Sequence, residues 1–162
     1  MPTARTAEPT GNRLLDALPV VERERWFGDF APRFVDITTV LFEPGQAVEA
    51  VYFPLTAVIA LVAPFDSGAI LEVATVGNEG IVGVPLVLGG SLAVRAISQV
   101  GGWVIPMAST EFVEAVRDSA PVRSIVNRYV QALFGQISRA AGCNRLHSNE
   151  ERLSRWLLMS CD

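Results

Sequence analysis

The segment VGNEGIVGVPLVLGG, residues 76–90, breaks an apolar run with five glycines and one proline. Glycine lets a backbone approach a bound ligand closely and can expose amide groups to an anion. Glycines can equally make the tight corners of a small β-barrel, so the glycines alone leave both interpretations open. The segment has no Gly-Lys-Ser/Thr and no βαβ context, so it predicts neither a P-loop nor a dinucleotide-binding turn.

Strand-like segments lie on both sides of this loop. The sequences EPG at 43–45 and FDSG at 65–68 mark turns between them. Short strands separated in this way favour a sandwich or a barrel over βαβ units. Runs of β-branched and aromatic residues predict strands at 34–41, 47–53, 57–63, 70–76, 93–100 and 103–106.

Helical patterns flank the strands, so the predicted fold is mainly β with flanking helices. Two short helices are expected within residues 12–30, and Ser109 is the predicted N-cap of a helix at 110–118. Pro121 opens a longer helix. The SNEE sequence at 148–151 is a capping box that begins another one.

The long helix carries an apolar stripe wider than one packing face requires. Such a helix can pack on its own barrel and also on a partner helix, or it can lie deeper in its own core. We expect a homodimer whose interface consists of Val126, Tyr129, Val130, Leu133, Phe134 and Ile137.

Composition restricts the class of protein. The 162 residues are 50% hydrophobic, and the net charge of −4 comes from 17 acidic residues against 13 arginines, with no lysine. No apolar run approaches the ~18 residues of a membrane helix, and the polar N-terminus has no signal-peptide core. We therefore expect a cytoplasmic protein without a membrane partner. The acidic balance argues against a stand-alone nucleic-acid-binding protein.

Metal-binding and nucleophilic residues are scarce. Cys143 and His147 have a helical i,i+4 spacing, and Cys161 is the only other cysteine. Two or three such residues make neither a zinc site nor a metal centre of the cupin type, which needs several histidines. Nothing around His147 indicates a Ser-His-Asp arrangement. We predict no metal site, no catalytic residues and no enzymatic activity.

Arg95 is the most informative charged residue, because strand-like apolar residues flank it. An unpaired guanidinium in such surroundings is costly, so Arg95 requires a partner. It can bind an anion such as phosphate, or it can face solvent or pair with a carboxylate.

The order and spacing of several segments resemble the catabolite-activator and fumarate–nitrate regulator (Crp/Fnr) family of bacterial transcription factors. The resemblance covers residues 14–162. It rests on LFEPG at 41–45, VYFP at 51–54 before AVI at 57–59, EVATVG at 72–77, EGIVG at 79–83, Arg95-Ala96 with Gln99, CNRLH at 143–147 and ERLSRWLL at 151–158.

This resemblance implies a cyclic-nucleotide-binding-like double-stranded β-helix, a jelly roll, followed by a long dimerisation helix. The expected organisation is a mobile lead at 1–10, the barrel domain at 11–120, the dimerisation helix at 121–147 and the start of a DNA-binding domain at 148–162. The recognition helix of the winged helix-turn-helix would lie further on. The given residues are therefore expected to bind DNA negligibly.

The departures from the family pattern concern the ligand pocket. Cyclic-nucleotide binders carry a Gly-Glu-Leu cassette, which Gly83-Val84-Pro85 replaces here. Their Arg-Ser pair appears as Arg95-Ala96. The resemblance thus implies a degenerate ligand site at these five residues, in which cyclic AMP binding is not expected. Any effector would be an unidentified anion or else a protein contact, and the alternative is that there is none. The N-terminus has no cysteine cluster for an iron–sulfur centre, and no haem ligands can be assigned.

The resulting expectation is the effector-sensing and dimerisation domain of a Crp/Fnr-like regulator. The alternative is a stand-alone small-molecule-binding or protein-interaction module that does not contact DNA.

Overall fold

The computed structural model describes residues 8–84 and 93–160. The strands in this part of the chain are β1 (Arg33–Val35), β2 (Val40–Phe42), β3 (Ala50–Pro54), β4 (Val58–Pro64), β5 (Ile70–Val76), β6 (Arg95–Val100) and β7 (Gly102–Ala108). The helices are α1 (Arg13–Asp16), α2 (Val20–Phe27), α3 (Ser109–Asp118), α4 (Ala120–Leu146) and α5 (Asn149–Ser160).

The strands form two antiparallel sheets whose neighbours are mostly distant in sequence. One sheet has the order β1-β7-β3 and the other has the order β2-β6-β4-β5. Residues that alternate to the inner faces, such as Phe53, Ile59 and Val104, are almost completely buried. Two facing sheets followed by one long helix confirm the predicted jelly-roll class.

Aromatic contacts attach helices to the first sheet. Phe53 of β3 packs edge-to-face on Phe27 of α2, with ring centroids 5.3 Å apart. On its other side Phe53 meets Phe112 of α3 at 6.1 Å. Such T-shaped pairs add to the stabilisation that comes from burying the rings.

The predicted single strand at 34–41 is wrong, because the chain turns a corner within it. Thr38 has φ of 67°, a left-handed conformation that a β-branched residue rarely adopts. Hydrogen bonds hold this corner on β6: the Thr38 amide donates to the Ser98 carbonyl at 2.8 Å, and the Ser98 amide donates to Thr39. The corner sends β1 and β2 into different sheets.

The helix-capping predictions have mixed outcomes. Ser109 is not an N-cap but the first residue of α3, after Ala108. The hydroxyl of Ser119 instead caps α4 by accepting the Val122 amide at 3.2 Å. The predicted capping box before α5 is confirmed, since Ser148 and Glu151 each accept the other's amide.

Asn12 fixes α1 on the barrel and is completely buried. Its side-chain oxygen accepts the amides of Leu14 and Leu15, which caps the helix. Its side-chain nitrogen donates to the carbonyls of Pro54 at 2.9 Å and Gly80 at 3.0 Å. One carboxamide therefore joins α1, the end of β3 and the glycine segment.

No helix in the described part of the chain has the length and apolar character that crossing a membrane requires.

We expect Asn12→Ala to lower the free energy of unfolding by about 2–4 kcal/mol, because it removes an N-cap and leaves two buried carbonyls without donors. Urea denaturation measures this loss. Asn127→Ala is the matched control, because Asn127 is exposed on α4 and should change stability little. Equal effects of the two substitutions would contradict this account of Asn12.

Candidate functional site

The glycine segment turns back along β3 instead of continuing the second sheet. Val82 and Tyr52 exchange two backbone hydrogen bonds of 2.9 Å. Gly83 follows with φ of 109°, and a Cβ there would lie 3.0 Å from the Val51 side chain. Gly83 is thus needed for its own backbone conformation and for close packing on β3.

Gly80 has a second packing role, against α4. A Cβ at Gly80 would lie 2.6 Å from the hydroxyl of Tyr129 and 2.6 Å from the Val76 side chain. Burial raises the pKa of Tyr129 well above its ordinary value, and a hydrogen bond with the Ile81 backbone opposes that rise only in part. The phenol therefore stays protonated. For Gly80 and Gly83 the structure supports the tight-corner interpretation of the glycines.

Arg95 begins β6 and is paired with a carboxylate. Its Nε lies 2.8 Å from Oε2 of Glu43, with about a third of each side chain exposed. Glu43 lies in the EPG turn, so a residue 52 positions away supplies the partner that Arg95 requires. The carboxylate of Glu43 occupies the Nε donor of Arg95 and offsets its charge, which weakens the attraction of this site for an anion.

The predicted pocket residues are divided between the two sheets. Gly83 and Val84 lie beside β3, whereas Arg95 and Ala96 lie on β6. Val84 and Ala96 are both buried, and their side chains carry no polar group for a ligand. Pro85 lies outside the described residues. The assignment of these five residues to a ligand site stays a prediction.

A polar network on β5 and β6 was missed from the sequence. Glu72 accepts hydrogen bonds from the Thr75 hydroxyl, at 2.7 Å, and from the Gln99 amide. Gln99 in turn accepts the indole N–H of Trp156 in α5 at 3.2 Å. Glu72 is the one charged residue of β5, and Gln99 is a polar residue of β6; polar side chains within the strands were the available signal. The network connects the second sheet to α5.

The predicted dimer residues on α4 do not form one uniform face. Val126, Tyr129 and Leu133 are buried in the chain's own core. Phe134, by contrast, is 72% exposed. The interpretation of α4 as a core helix therefore holds for one stripe. Val130 and Ile137 are partly buried at its edge, and of the predicted interface residues only Phe134 is exposed.

His147 follows the last residue of α4 and contacts Glu151 in α5, which gives the side chain a structural role. Its Nδ1 lies 3.3 Å from Glu151, four residues further on. Hydrogen bonds from Ser148, together with the nearby His147, lower the pKa of Glu151. Within the described residues no group of three or more His, Cys, Asp or Glu side chains is placed to hold a metal ion. Cys161 lies outside them.

The whole fold has relatives among solved structures. A Crp/Fnr-family chain from Eubacterium rectale matches with a TM-score of 0.74, at 12% identity over 93% of this chain and 71% of its own. The fold is that of the Crp/Fnr regulators. The c-di-GMP-responsive global regulator CLP from Xanthomonas campestris matches with a TM-score of 0.68, at 17% identity over 85% of this chain and 70% of its own.

A third match is an isolated sensor domain, that of the transcriptional regulator DNR from Pseudomonas aeruginosa. Its TM-score is 0.59, at 12% identity over 77% of this chain and 85% of that domain. No protein-family model and no curated protein matches the sequence. Because the sequence identities are only 12–17%, these structural matches establish the fold, which is cyclic-nucleotide-binding-like.

We expect Gly80→Ala to cost about 1–3 kcal/mol of stability, because the new methyl overlaps both Tyr129 and Val76. In a Tyr129→Phe background the cost should fall, because the contact with the hydroxyl is then absent. Urea denaturation of the double-mutant cycle measures this coupling. Gly142→Ala is the control, since nothing lies within 4 Å of a Cβ there. Additive effects at 80 and 129 would show that the predicted contact is unimportant.

We expect calorimetric titration with cyclic AMP or cyclic GMP to show weak binding or none. Glu43 already neutralises Arg95, and position 84 has no carboxylate for a ribose hydroxyl. Any residual binding should strengthen in Glu43→Gln, which releases the guanidinium, and stay unchanged in Glu49→Gln. Micromolar affinity of the unmodified chain that disappears in Arg95→Ala would show that the altered cassette still works.

Proposed function

We propose that this chain is the effector-sensing and dimerisation unit of a Crp/Fnr-like transcription regulator, acting in the cytoplasm and without catalysis of its own. The observation that carries the proposal is the form of α4. This helix has 27 residues, and one stripe of it is buried on the barrel. Beside that stripe lies a second apolar stripe, in which Phe134 is exposed while Val130 and Ile137 are partly buried at the edge of the core.

The exposed stripe has the spacing of a helix–helix seam. Val130, Phe134, Ile137 and Ala141 follow one another at intervals of four, three and four residues. This is the alternation of a and d positions in a heptad, which brings two helices together along one line. An exposed phenylalanine at the centre of such a line favours burial against a second copy of α4.

The core stripe of α4 leaves this seam partly exposed: Val130 and Ile137 touch the edge of the core, and Phe134 does not. Val122, Val126 and Tyr129 contact the barrel, and the seam lies on an adjacent side of the helix. A partner can therefore pack on the seam without displacing the helix from its own domain. Dimerisation in this arrangement uses Val130, Phe134 and Ile137 of the predicted interface and not its buried members.

An effector signal would reach α4 through the glycine segment. Gly80 contacts Tyr129, and Gln136 donates to the Thr75 carbonyl at 2.9 Å. A ligand that moved the end of β5 together with the segment after it would change both contacts and so the position of α4 in the dimer. The proposed effector is an anion other than cyclic AMP. DNA contact belongs to the recognition helix of a winged helix-turn-helix; the family resemblance starts that domain at α5 and places its recognition helix further on.

We expect Phe134→Glu to convert the dimer to monomers, because it places a charge in the apolar seam. Sedimentation velocity measures the change, and thermal unfolding should show an intact fold because Phe134 is exposed. Val113→Glu is the control, since Val113 is a 43% exposed valine on α3. By contrast, Leu133→Glu should unfold the domain, because Leu133 is buried.

Two results would reject the proposed dimer. One is an unmodified chain that sediments as a monomer at micromolar concentration, which would favour the stand-alone module. The other is a Phe134→Glu variant that remains dimeric, which would place the interface elsewhere.

A further inference from the structure

A large cleft lies between α1 and α4, outside the barrel. Its volume is about 750 Å³, within the range of pockets that hold small organic ligands. Leu14 of α1 and Ile125, Ala132 and Leu133 of α4 supply an apolar lining. The cleft contains none of the five predicted cassette residues.

Arginines dominate the charge of this cleft. Arg13 comes from α1, and Arg128 and Arg139 come from α4. None of these guanidiniums forms an ion pair with a carboxylate in residues 8–84 and 93–160. The opposing charge in the lining is Glu79, whose carboxylate accepts the Gly77 amide at 3.1 Å. The cleft is thus locally positive in a chain whose net charge is −4.

Helix geometry keeps the cleft separate from the proposed dimer seam. At 100° per residue, the cleft stripe of Ile125, Tyr129, Ala132 and Gln136 lies about 170° around α4 from Phe134, the centre of the seam. Leu133, at the near edge of the cleft, lies about 100° from Phe134. A second copy of α4 on the seam would therefore leave the cleft open.

We propose that this cleft binds a small organic acid, with an apolar or aromatic body against the helices and an anionic group bound by Arg128 or by Arg139, which lie roughly 16 Å apart along α4. Arginine binds carboxylate and phosphate groups through paired N–H donors, and the apolar lining gains from covering a hydrophobic body. The buried Tyr129 forms part of the wall and stays protonated. This site requires neither the dimer nor DNA nor the cyclic-nucleotide pocket, so it goes beyond the function proposed above.

The test uses dansylglycine, a fluorescent aromatic carboxylic acid, and its uncharged amide as the matched ligand. Fluorescence titration of the full chain should show saturable binding of one dansylglycine per chain. The amide should bind at least roughly tenfold more weakly, because it lacks the charge that the arginines recognise. Absence of saturable binding, or equal affinity of acid and amide, would overturn the proposal.

Substitutions inside and outside the cleft test whether the probe binds there. Arg128→Gln combined with Arg139→Gln should weaken dansylglycine binding by roughly tenfold or more. Arg145→Gln removes the same charge from an exposed position of α4 outside the cleft and should leave binding unchanged. Ala132→Phe fills the cleft from an exposed position and should block the probe while thermal unfolding stays normal. If the double variant and Ala132→Phe both bind like the unmodified chain, the probe lies elsewhere and the proposal is wrong.

Discussion

The carboxamide of Asn12 is the contact on which the arrangement around the barrel depends. Burying an amide is favourable only when its hydrogen bonds are made, and Asn12 makes four. They hold α1 against the end of β3 and against Gly80. Without them α1, four residues long, would be held by the buried Leu15 and by the hydrogen bond from the Arg13 amide to the Asn78 carbonyl, and one wall of the cleft between α1 and α4 would be less firmly fixed.

Gly80 then extends the same connection to the long helix. The Gly80 carbonyl accepts a hydrogen bond from the Asn12 side chain. Because Gly80 has no side chain, the ring of Tyr129 can pack closely against it. The glycine segment consequently supports both helices, and the barrel is tied to α4 where the chain leaves β5. A glycine-rich segment that looks like a ligand loop in the sequence serves here first as a packing junction.

Local signals in the sequence were enough for much of the fold. Turn residues and β-branched runs predicted the strands closely, β5 at its observed bounds, and the capping box marked the start of α5. Partners distant in the chain were not predictable: the Thr38 corner depends on β6, and the carboxylate that pairs with Arg95 comes from Glu43. For the same reason the sequence could show that α4 is broadly apolar, but not which stripe its own barrel covers. The predicted ligand site rests on family resemblance, and its assignment is still a prediction.

The hydrogen bond from the Gln136 side chain to the Thr75 carbonyl attaches α4 to β5 and leaves the end of the helix to extend beyond that point. The helix continues to Leu146, so at about 1.5 Å per residue roughly 15 Å of helix extends past that attachment, and a tilt of about 10° moves its tip by roughly 2.6 Å. A displacement of that size is enough to break a hydrogen bond such as the one between Trp156 and Gln99. The end of α4 thus works as a lever arm, which turns a small rotation at the barrel into a change in how α5 is held.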